Sequence, residues 1–434
     1  MSGSSDRAAA GPGRRAVLLS GLGGIGVLAG AAGLGACTSA GTAGASGASA
    51  GAGAGAGAGS GSAADTLRDA SGHARARAFR GERQAGIIET PQTYAVFLAV
   101  DLPADADADS VRRLLTIWTD DAEKLMSGQG TLADLEPELA AVPAGITVTI
   151  GVGRRVPELT GAAVPSWLAP LPAYKIDKLQ DRWSGGDLFV QVCANSPTTV
   201  AHAVRRMLTN MGSLGRVRWQ QRGFREPFEG PGIPMRNLFG QVDGTVQPDV
   251  TGAESAMLWI GSAGPAWLSG GSTVVVRRIA MDMDVWDRVD RESRENAIGR
   301  HLGSGAPLTS PADAPSTAAA DLDAKTPLGF HVIDDGSHLR RARGDNKEKI
   351  LRRPYSYDDA PEVDPTTGRM SGLSNTGLIF VAYQADPMTQ FAPMQARLAE
   401  KDLLNLWTTP IGSAVFAILP GAKDGEILGQ ALFG

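Results

Sequence analysis

The sequence predicts an α+β fold of two similar halves, and three observations carry that expectation. The chain has 434 residues, 43% hydrophobic and 20% charged, an ordinary globular composition that can supply a sizeable core. Its apolar runs switch between the two-residue period of strands and the 3.6-residue period of helices. That switching occurs twice, first between Tyr94 and Phe224 and again between Met235 and Gly421.

In the first half, YAVFLAVDL (Tyr94 to Leu102) is rich in β-branched and aromatic residues and reads as a buried strand. DADSVRRLLTIWTDDAEKLMSG (Asp107 to Gly128) puts Val111, Leu114, Leu115, Trp118, Ala122 and Leu125 at helical spacing, with Gly128 as the stop. GITVTIGVG (Gly145 to Gly153) alternates strictly, and DLFVQVCAN (Asp187 to Asn195) is a further strand carrying Cys193 as a core residue. SPTTVAHAVRRMLTNMG (Ser196 to Gly212) is a helix opened by Ser-Pro, and GRVRWQQRGF is the fourth strand. The order β-α-β-β-α-β is that of a ferredoxin-like unit.

The second half repeats the theme. MRNLFGQVDG (Met235 to Gly244) and GGSTVVVRRIAMD (Gly270 to Asp282) read as strands, and DVWDRVDRESRENAIGRHLG as one helix. An irregular stretch from Ser304 to Ser337 follows, long enough to suggest a functional loop. Then come the strand TGLIFVAYQAD, the helix MTQFAPMQARLAEKD and the strand GSAVFAILPG. Within MRNLFGQVDG the Asp243-Gly244 pair would ordinarily mark a turn. Here the apolar step Leu238-Phe239 and Val242 precede it, so the carboxylate is expected at the end of a buried strand, facing what the core encloses.

The N-terminus has another character. Arg14-Arg15 precede the uncharged run AVLLSGLGGIGVLAGAAGLGA, the order of an export signal of the twin-arginine kind. LGAC (Leu34 to Cys37) resembles a lipoprotein cleavage box with Cys37 as the lipid-bearing residue. Gly21 to Gly26 formally match G-x-G-x-x-G. No acidic residue occurs between Asp6 and Asp65, so the ribose-binding acid of a dinucleotide site is missing. From Thr38 to Ala64 only Gly, Ala, Ser and Thr occur, a flexible tether. The formal net charge is -5; Asp6, Arg7, Arg14 and Arg15 give residues 1–36 a net +2, leaving -5 - 2 = -7 for the remainder. That balance argues against nucleic acid or an anionic lipid surface as the main partner. Besides Cys37 only Cys193 is present, so no disulfide is expected within the exported domain.

Several stretches together resemble the dye-decolourising (DyP-type) haem peroxidases: GERQAGI, WSGGDLFVQVCAN, GQVDGT, AIGRHLGSGAPL, SHLR, LRRPYSY, GLIFVAYQAD and PIGSAVFAILPGAKD, in shared order from Phe79 to Gly434. With the twin-arginine leader, these words resemble the exported branch linked to bacterial iron uptake, sometimes called deferrochelatase. The resemblance implies two ferredoxin-like units of the dimeric α+β barrel type. It divides the chain into an export signal (1–36), a tether (37–64), an N-terminal domain (65–230) and a C-terminal haem-binding domain (231–434). It implies haem b as cofactor, with hydrogen peroxide and a small-molecule reductant as reaction partners; a homo-oligomer is left open.

Residue by residue, the resemblance makes Asp243 the acid/base that moves a proton between the two peroxide oxygens. Arg352 becomes the cation that stabilises charge developing on O–O cleavage, with the adjacent Arg353 as the alternative. His338 becomes the axial iron ligand and Glu348 a candidate acceptor for its other ring nitrogen. Arg300 is implied to pair with a haem propionate, while the cation of a helix C-terminus is its plainer reading. Gly244 and Thr245 are implied to border the cofactor, and Phe380, Phe391 and Phe416 to line its apolar pocket, although core packing accounts for the three rings equally well. Of the other histidines, His202 falls off its helix's apolar stripe and is expected to be exposed; His73 lies in a basic lead-in; His301 and His331 stay open. Two departures from the family pattern stand out: DGTVQP places Gln247 where relatives commonly carry asparagine, and the segment from His338 to Arg352 is short. Three functions are compatible with this: a haem peroxidase, a haem-binding protein that releases iron, and a peroxide-consuming partner of another exported oxidase.

Overall fold

The first half runs β1 (Tyr94–Asp101), α1 (Ala108–Met126), β2 (Thr147–Val152), α2 (Arg155–Thr160), β3 (Leu188–Ala194), α3 (Pro197–Met211) and β4 (Arg216–Phe224). These come from a computed structural model that describes residues 76–226, 234–345, 347–370 and 372–434. The expected export signal, Cys37, the tether and His73 lie outside the described residues. Among those described, no helix is long and apolar enough to cross a membrane. β2 and β3 are buried along their whole length, the alternate polar residues Thr147, Thr149 and Gln191 included, because both faces of these strands are covered. α1 starts where Asp107 accepts a hydrogen bond from the Ser110 N–H, an N-cap, and buries the expected stripe from Val111 to Leu125. α3 is capped by Ser196 in the same way. The two helices cover one face of the first half, and the Trp118 indole donates to the Met207 carbonyl at 3.1 Å.

One reading fails here. His202 is buried, not exposed, and its Nε2 lies 3.0 Å from the Asp134 carboxylate. The loop before the short helical turn Pro137–Leu139 folds over α3 and covers the position that helical spacing alone leaves to solvent.

The second half contains β5 (Met235–Arg236), β6 (Val242–Asp243), β7 (Ser272–Met281), α4 (Met283–Trp286), α5 (Arg291–Ile298), α6 (His338–Arg343), β8 (Leu351–Arg352), β9 (Tyr355–Asp359), β10 (Asn375–Gln384), α7 (Phe391–Lys401) and β11 (Thr408–Ile418). Two expected elements are broken. MRNLFGQVDG is a hairpin of β5 and β6 rather than one strand. Asn237 turns the chain, its side-chain oxygen accepting from the Phe239 and Gln241 N–H groups. The helix expected from Asp284 is two, because Asp290 accepts from the Ser293 N–H and starts α5 afresh. The stretch 304–337 holds no helix or strand, as expected, only isolated bridges.

The principal sheet closes on itself. Its strands follow the order β7-β11-β2-β3-β1-β4-β9-β10, and β10 pairs back with β7. Within each half, the strands flanking the two helix-bearing connections take the same order, β4-β1-β3-β2 and β11-β7-β10-β9. The halves join at two narrow seams: Phe224 opposite Ser356, and Ala417-Ile418 opposite Val152-Gly151. The ring encloses one apolar cluster to which seven strands contribute, including Phe97, Phe189, Val276, Tyr355, Val381 and Phe416. Alternating residues on β7, β10 and β11 point the other way, and Val275, Ala382 and Val415 there pack with Phe380, Ile350 and the α7 residue Phe391. That outer face of the second half positions the site.

Candidate functional site

Strand alternation decides between the paired arginines. β8 hangs on β10, with Arg352 opposite Ala382 and Leu351 opposite Tyr383. Successive side chains on a strand take opposite faces. Ile350 therefore joins the outer cluster, Leu351 packs against the enclosed one, and Arg352 projects outward again. Arg353 turns inward, 1% exposed, and donates to the Glu89 carbonyl and the Gln92 side chain.

On the outer face Arg352 meets Asp243. Its Nη1 donates to Asp243 Oδ1 at 2.9 Å, and the side chains are 24% and 10% exposed. Asp243 ends β6, and Gly244 follows with φ +92°, a left-handed conformation that glycine adopts without strain. Thr245 comes next, half-buried. The returning chain holds Arg352 twice more. The Gln247 amide donates to the Arg352 carbonyl at 2.7 Å and accepts from the Arg352 N–H at 3.1 Å. The Val246 carbonyl accepts from Nη2. The carboxylate expected at the end of a buried core strand thus sits on a hairpin beside an edge strand.

His338 opens α6, capped by Ser337. Its Nδ1 lies 2.6 Å from Asp402 Oδ2, and no hydrogen bond to Nε2 occurs among the described residues. The ring is recessed: burial pulls its pKa down, yet the side chain remains 37% exposed. The charge and hydrogen bond of Asp402 outweigh burial, so the net shift is upward; Arg352 opposes it and Asp243 adds to it. Those last two influences place the histidine and the Asp243–Arg352 pair in one electrostatic neighbourhood.

The partner of His338 is a correction. Glu348 does not reach it but pairs with Arg397 at 3.0 Å. Asp402 lies 64 residues along the chain, at the end of α7, where its second oxygen caps the following turn by accepting from the Leu404 N–H. In the sequence it looks like an ordinary cap, and nothing local ties it to a histidine.

Arg300 follows the α5 C-cap Gly299, as the helix-end reading has it, but its guanidinium turns inward, to the Gly305 and Ser316 carbonyls at 2.7 and 2.9 Å. Among the described residues it has no carboxylate partner. Burial, then the nearby Arg352 and Arg343, brings its pKa down to about 10. Phe380 and Phe391 pack against each other on the outer face, ring centroids 5.6 Å apart. Phe416 does not join them. It points into the enclosed cluster, fully buried and stacked on Phe189 at 5.0 Å, because its neighbour Val415 takes the outward register. His301 lies 3.6 Å from Glu295 and His331 2.8 Å from Asp335.

Beside the closed antiparallel sheet stand an Asp–Arg pair and a half-buried histidine within its electrostatic reach, and the chain belongs to the Dyp-type peroxidase family and is a peroxidase. The N-terminal and C-terminal models of that family match residues 84–225 and 234–423. Among the relatives, the chain is 34% identical to a dye-decolorizing peroxidase of Thermobifida fusca, over 84% of this chain and 86% of the relative. It is 33% identical to a deferrochelatase of Escherichia coli, over 82% and 86%. The crystal structure of a DyP-type peroxidase from Cellulomonas bogoriensis shares 47% identity and superposes with a TM-score of 0.76, over 82% of this chain and 97% of that one. Ferric DtpA from Streptomyces lividans shares 35% identity with a TM-score of 0.77, over 83% and 97%.

Proposed function

We propose that His338 would hold haem beside the Asp243–Arg352 pair, and that the protein reduces hydrogen peroxide there while oxidising an organic, dye-like or phenolic, reductant. Haem is the cofactor of this activity, and the residues present suit it on three counts. Among the described residues nothing hydrogen-bonds His338 Nε2, while Asp402 holds the other ring nitrogen, the arrangement of a histidine prepared for a metal. Arg300 is a cation set among carbonyls and other cations, so a propionate would supply the anion it lacks. Phe380 and Phe391 offer an apolar wall.

When bound, haem supplies an iron that binds peroxide and passes electrons to it. Asp243 then has the acid/base task. One carboxylate oxygen is held by Arg352, and the other can take the proton from the near peroxide oxygen and return it to the far one, which leaves as water. Arg352 presents a fixed positive charge where negative charge develops as the O–O bond breaks. The Asp243–Arg352 ion pair, within electrostatic reach of His338, carries this reading. Its test is an absorption spectrum of the haemin-loaded protein before and after one equivalent of peroxide, repeated with Asp243→Ala. A histidine-ligated ferric spectrum that peroxide changes rapidly in wild type and slowly in the variant is expected. An unchanged rate in the variant removes Asp243 from the chemistry.

The resemblance to a deferrochelatase supports a second reading, release of iron from haem. The same variant separates the two, since iron release that persists without peroxide turnover favours iron acquisition. The matching strand order of the two halves supports reading them as two ferredoxin-like units. The paired Arg14-Arg15, the apolar run and Cys37 support export by the twin-arginine route and a lipid anchor. Replacing Arg14 and Arg15 by lysine should leave the protein inside the cell, and mass spectrometry of Cys37 tests the lipid.

A further inference from the structure

We infer that Gln247 is the positioning residue for the peroxide-facing arginine, holding Arg352 through its main chain rather than its side chain. The inference rests on the peroxidase reading above. β8 is only two residues long and pairs with β10 along one edge. In that register the N–H of Arg353 turns inward, donating to the Val381 carbonyl at 2.8 Å. The N–H and C=O of Arg352 therefore face away from the sheet, where an edge strand leaves them unpaired. Gln247 meets both at once, Nε2 on the carbonyl and Oε1 on the N–H. A primary amide has one donor end and one acceptor end in a plane, so it stands in for the missing neighbouring strand at one residue.

The placement matters because Gln247 sits on the same turn as Asp243. The segment from Asp243 to Gln247 holds Arg352 at three levels: Asp243 on the guanidinium, the Val246 carbonyl on its second nitrogen, and Gln247 on the backbone. The acid/base and the cation thus belong to one clamped unit, their separation fixed by a five-residue loop instead of by the packing of distant elements. Asparagine at position 247 would be one methylene shorter. It could not satisfy both Arg352 groups without moving the loop, and Asp243 with it. Gln247 is itself exposed, so its loss leaves no buried hole.

The test uses the haemin-loaded protein as wild type, Gln247→Ala, Gln247→Glu, Arg352→Ala and the Gln247→Ala/Arg352→Ala double variant. Four readouts are the second-order rate with peroxide, the Kd for fluoride at the ferric iron, the Soret band and the thermal midpoint. Fluoride accepts a hydrogen bond from a correctly aimed guanidinium, so it reports the placement of Arg352 without turnover. Gln247→Ala should lower the peroxide rate about tenfold and weaken fluoride by a similar factor, since small misplacements of a catalytic group are costly. The Soret band and thermal midpoint should stay at wild-type values. Gln247→Glu keeps the acceptor but sets oxygen against the Arg352 carbonyl, and should resemble Gln247→Ala. The double variant should react no more slowly than Arg352→Ala, because Gln247 acts only through Arg352. If Gln247→Ala keeps wild-type rate and fluoride affinity while Arg352→Ala loses both, the inference is overturned and the peroxidase reading stands. A double variant markedly slower than Arg352→Ala overturns it as well. Should Arg352→Ala itself react at the wild-type rate, the fault lies with the peroxidase reading.

Discussion

Arg352→Ala and Arg353→Ala are expected to fail in opposite ways, although the residues are neighbours of identical chemistry. Arg352 points outward, its guanidinium on Asp243 and 24% exposed. Removing it takes one oriented cation from the site, a loss of about 2.7–4 kcal/mol in transition-state stabilisation, or roughly 10²–10³ in rate. The partly exposed ion pair contributes about 1 kcal/mol or less to the fold, so the unfolding midpoint should move little. Arg353 is 1% exposed. Its truncation strands the Glu89 carbonyl and the Gln92 side-chain oxygen. Each buried acceptor without a donor costs about 1–3 kcal/mol. Two such losses, offset in part by no longer burying a cation, leave a net destabilisation of about 3 kcal/mol. Urea unfolding of the haem-free proteins and stopped-flow reaction of the haemin-loaded ones with peroxide give the comparison. If Arg353→Ala proved as stable as wild type but slow with peroxide, the assignment of faces from β8 would be wrong.

Asp402→Asn should weaken haemin binding about 10- to 100-fold, by removing the charged acceptor from His338, whereas Glu348→Gln should bind haemin as wild type does; equal losses in a haemin titration would refute the Asp402 assignment. Arg300→Leu should abolish the preference of the protein for haemin over its dimethyl ester, measured by competitive binding, and a preference that survives would leave Arg300 without a propionate to hold. Asp121, 1% exposed, has its pKa pushed up to about 6, chiefly by burial and against the pull of the Asn210 hydrogen bond. A carboxyl with a raised folded pKa destabilises the protein when ionised, and the penalty fades as pH falls from about 6 towards the unfolded value near 3.8. Asp121→Asn should therefore add up to about 3 kcal/mol at pH 8 and progressively less between pH 6 and pH 4. Urea midpoints that shift equally at both ends of that range would contradict it.

The strands and long helices were legible because burial writes itself into sequence. β2, β3 and β7 are rich in β-branched and other apolar residues and almost wholly buried, and α1 shows both its cap and its stripe. The breaks were less so. Asn237 and Asp290 each redirect the chain through one side-chain oxygen accepting a backbone N–H, an event that periodicity does not register. β8 and β9 are short and separated by Pro354, too brief for a pattern to form. At the site, motif words led to Asp243, Arg352, His338 and Arg300, and the structure brings these into one region. Asp402 was out of reach, since what makes it matter is the packing of α6 on α7. Phe416 shows the opposite error: an aromatic in the right strand, one residue out of phase with the wall it was meant to form. His202 failed for a related reason, since helical spacing describes a helix's own faces and cannot anticipate a loop laid across one of them.

The sheet that runs round into itself bears on how electrons arrive. The sheet is hydrogen-bonded at both seams between its halves and the site lies outside it, so whatever reaches the site comes across the outer face rather than through the barrel. On the peroxidase reading, a reductant too large for the space between the loops there would pass its electrons through the protein wall, whereas peroxide meets the Asp243–Arg352 pair directly. Rates with large and small reductants should accordingly respond to different surfaces of the same molecule.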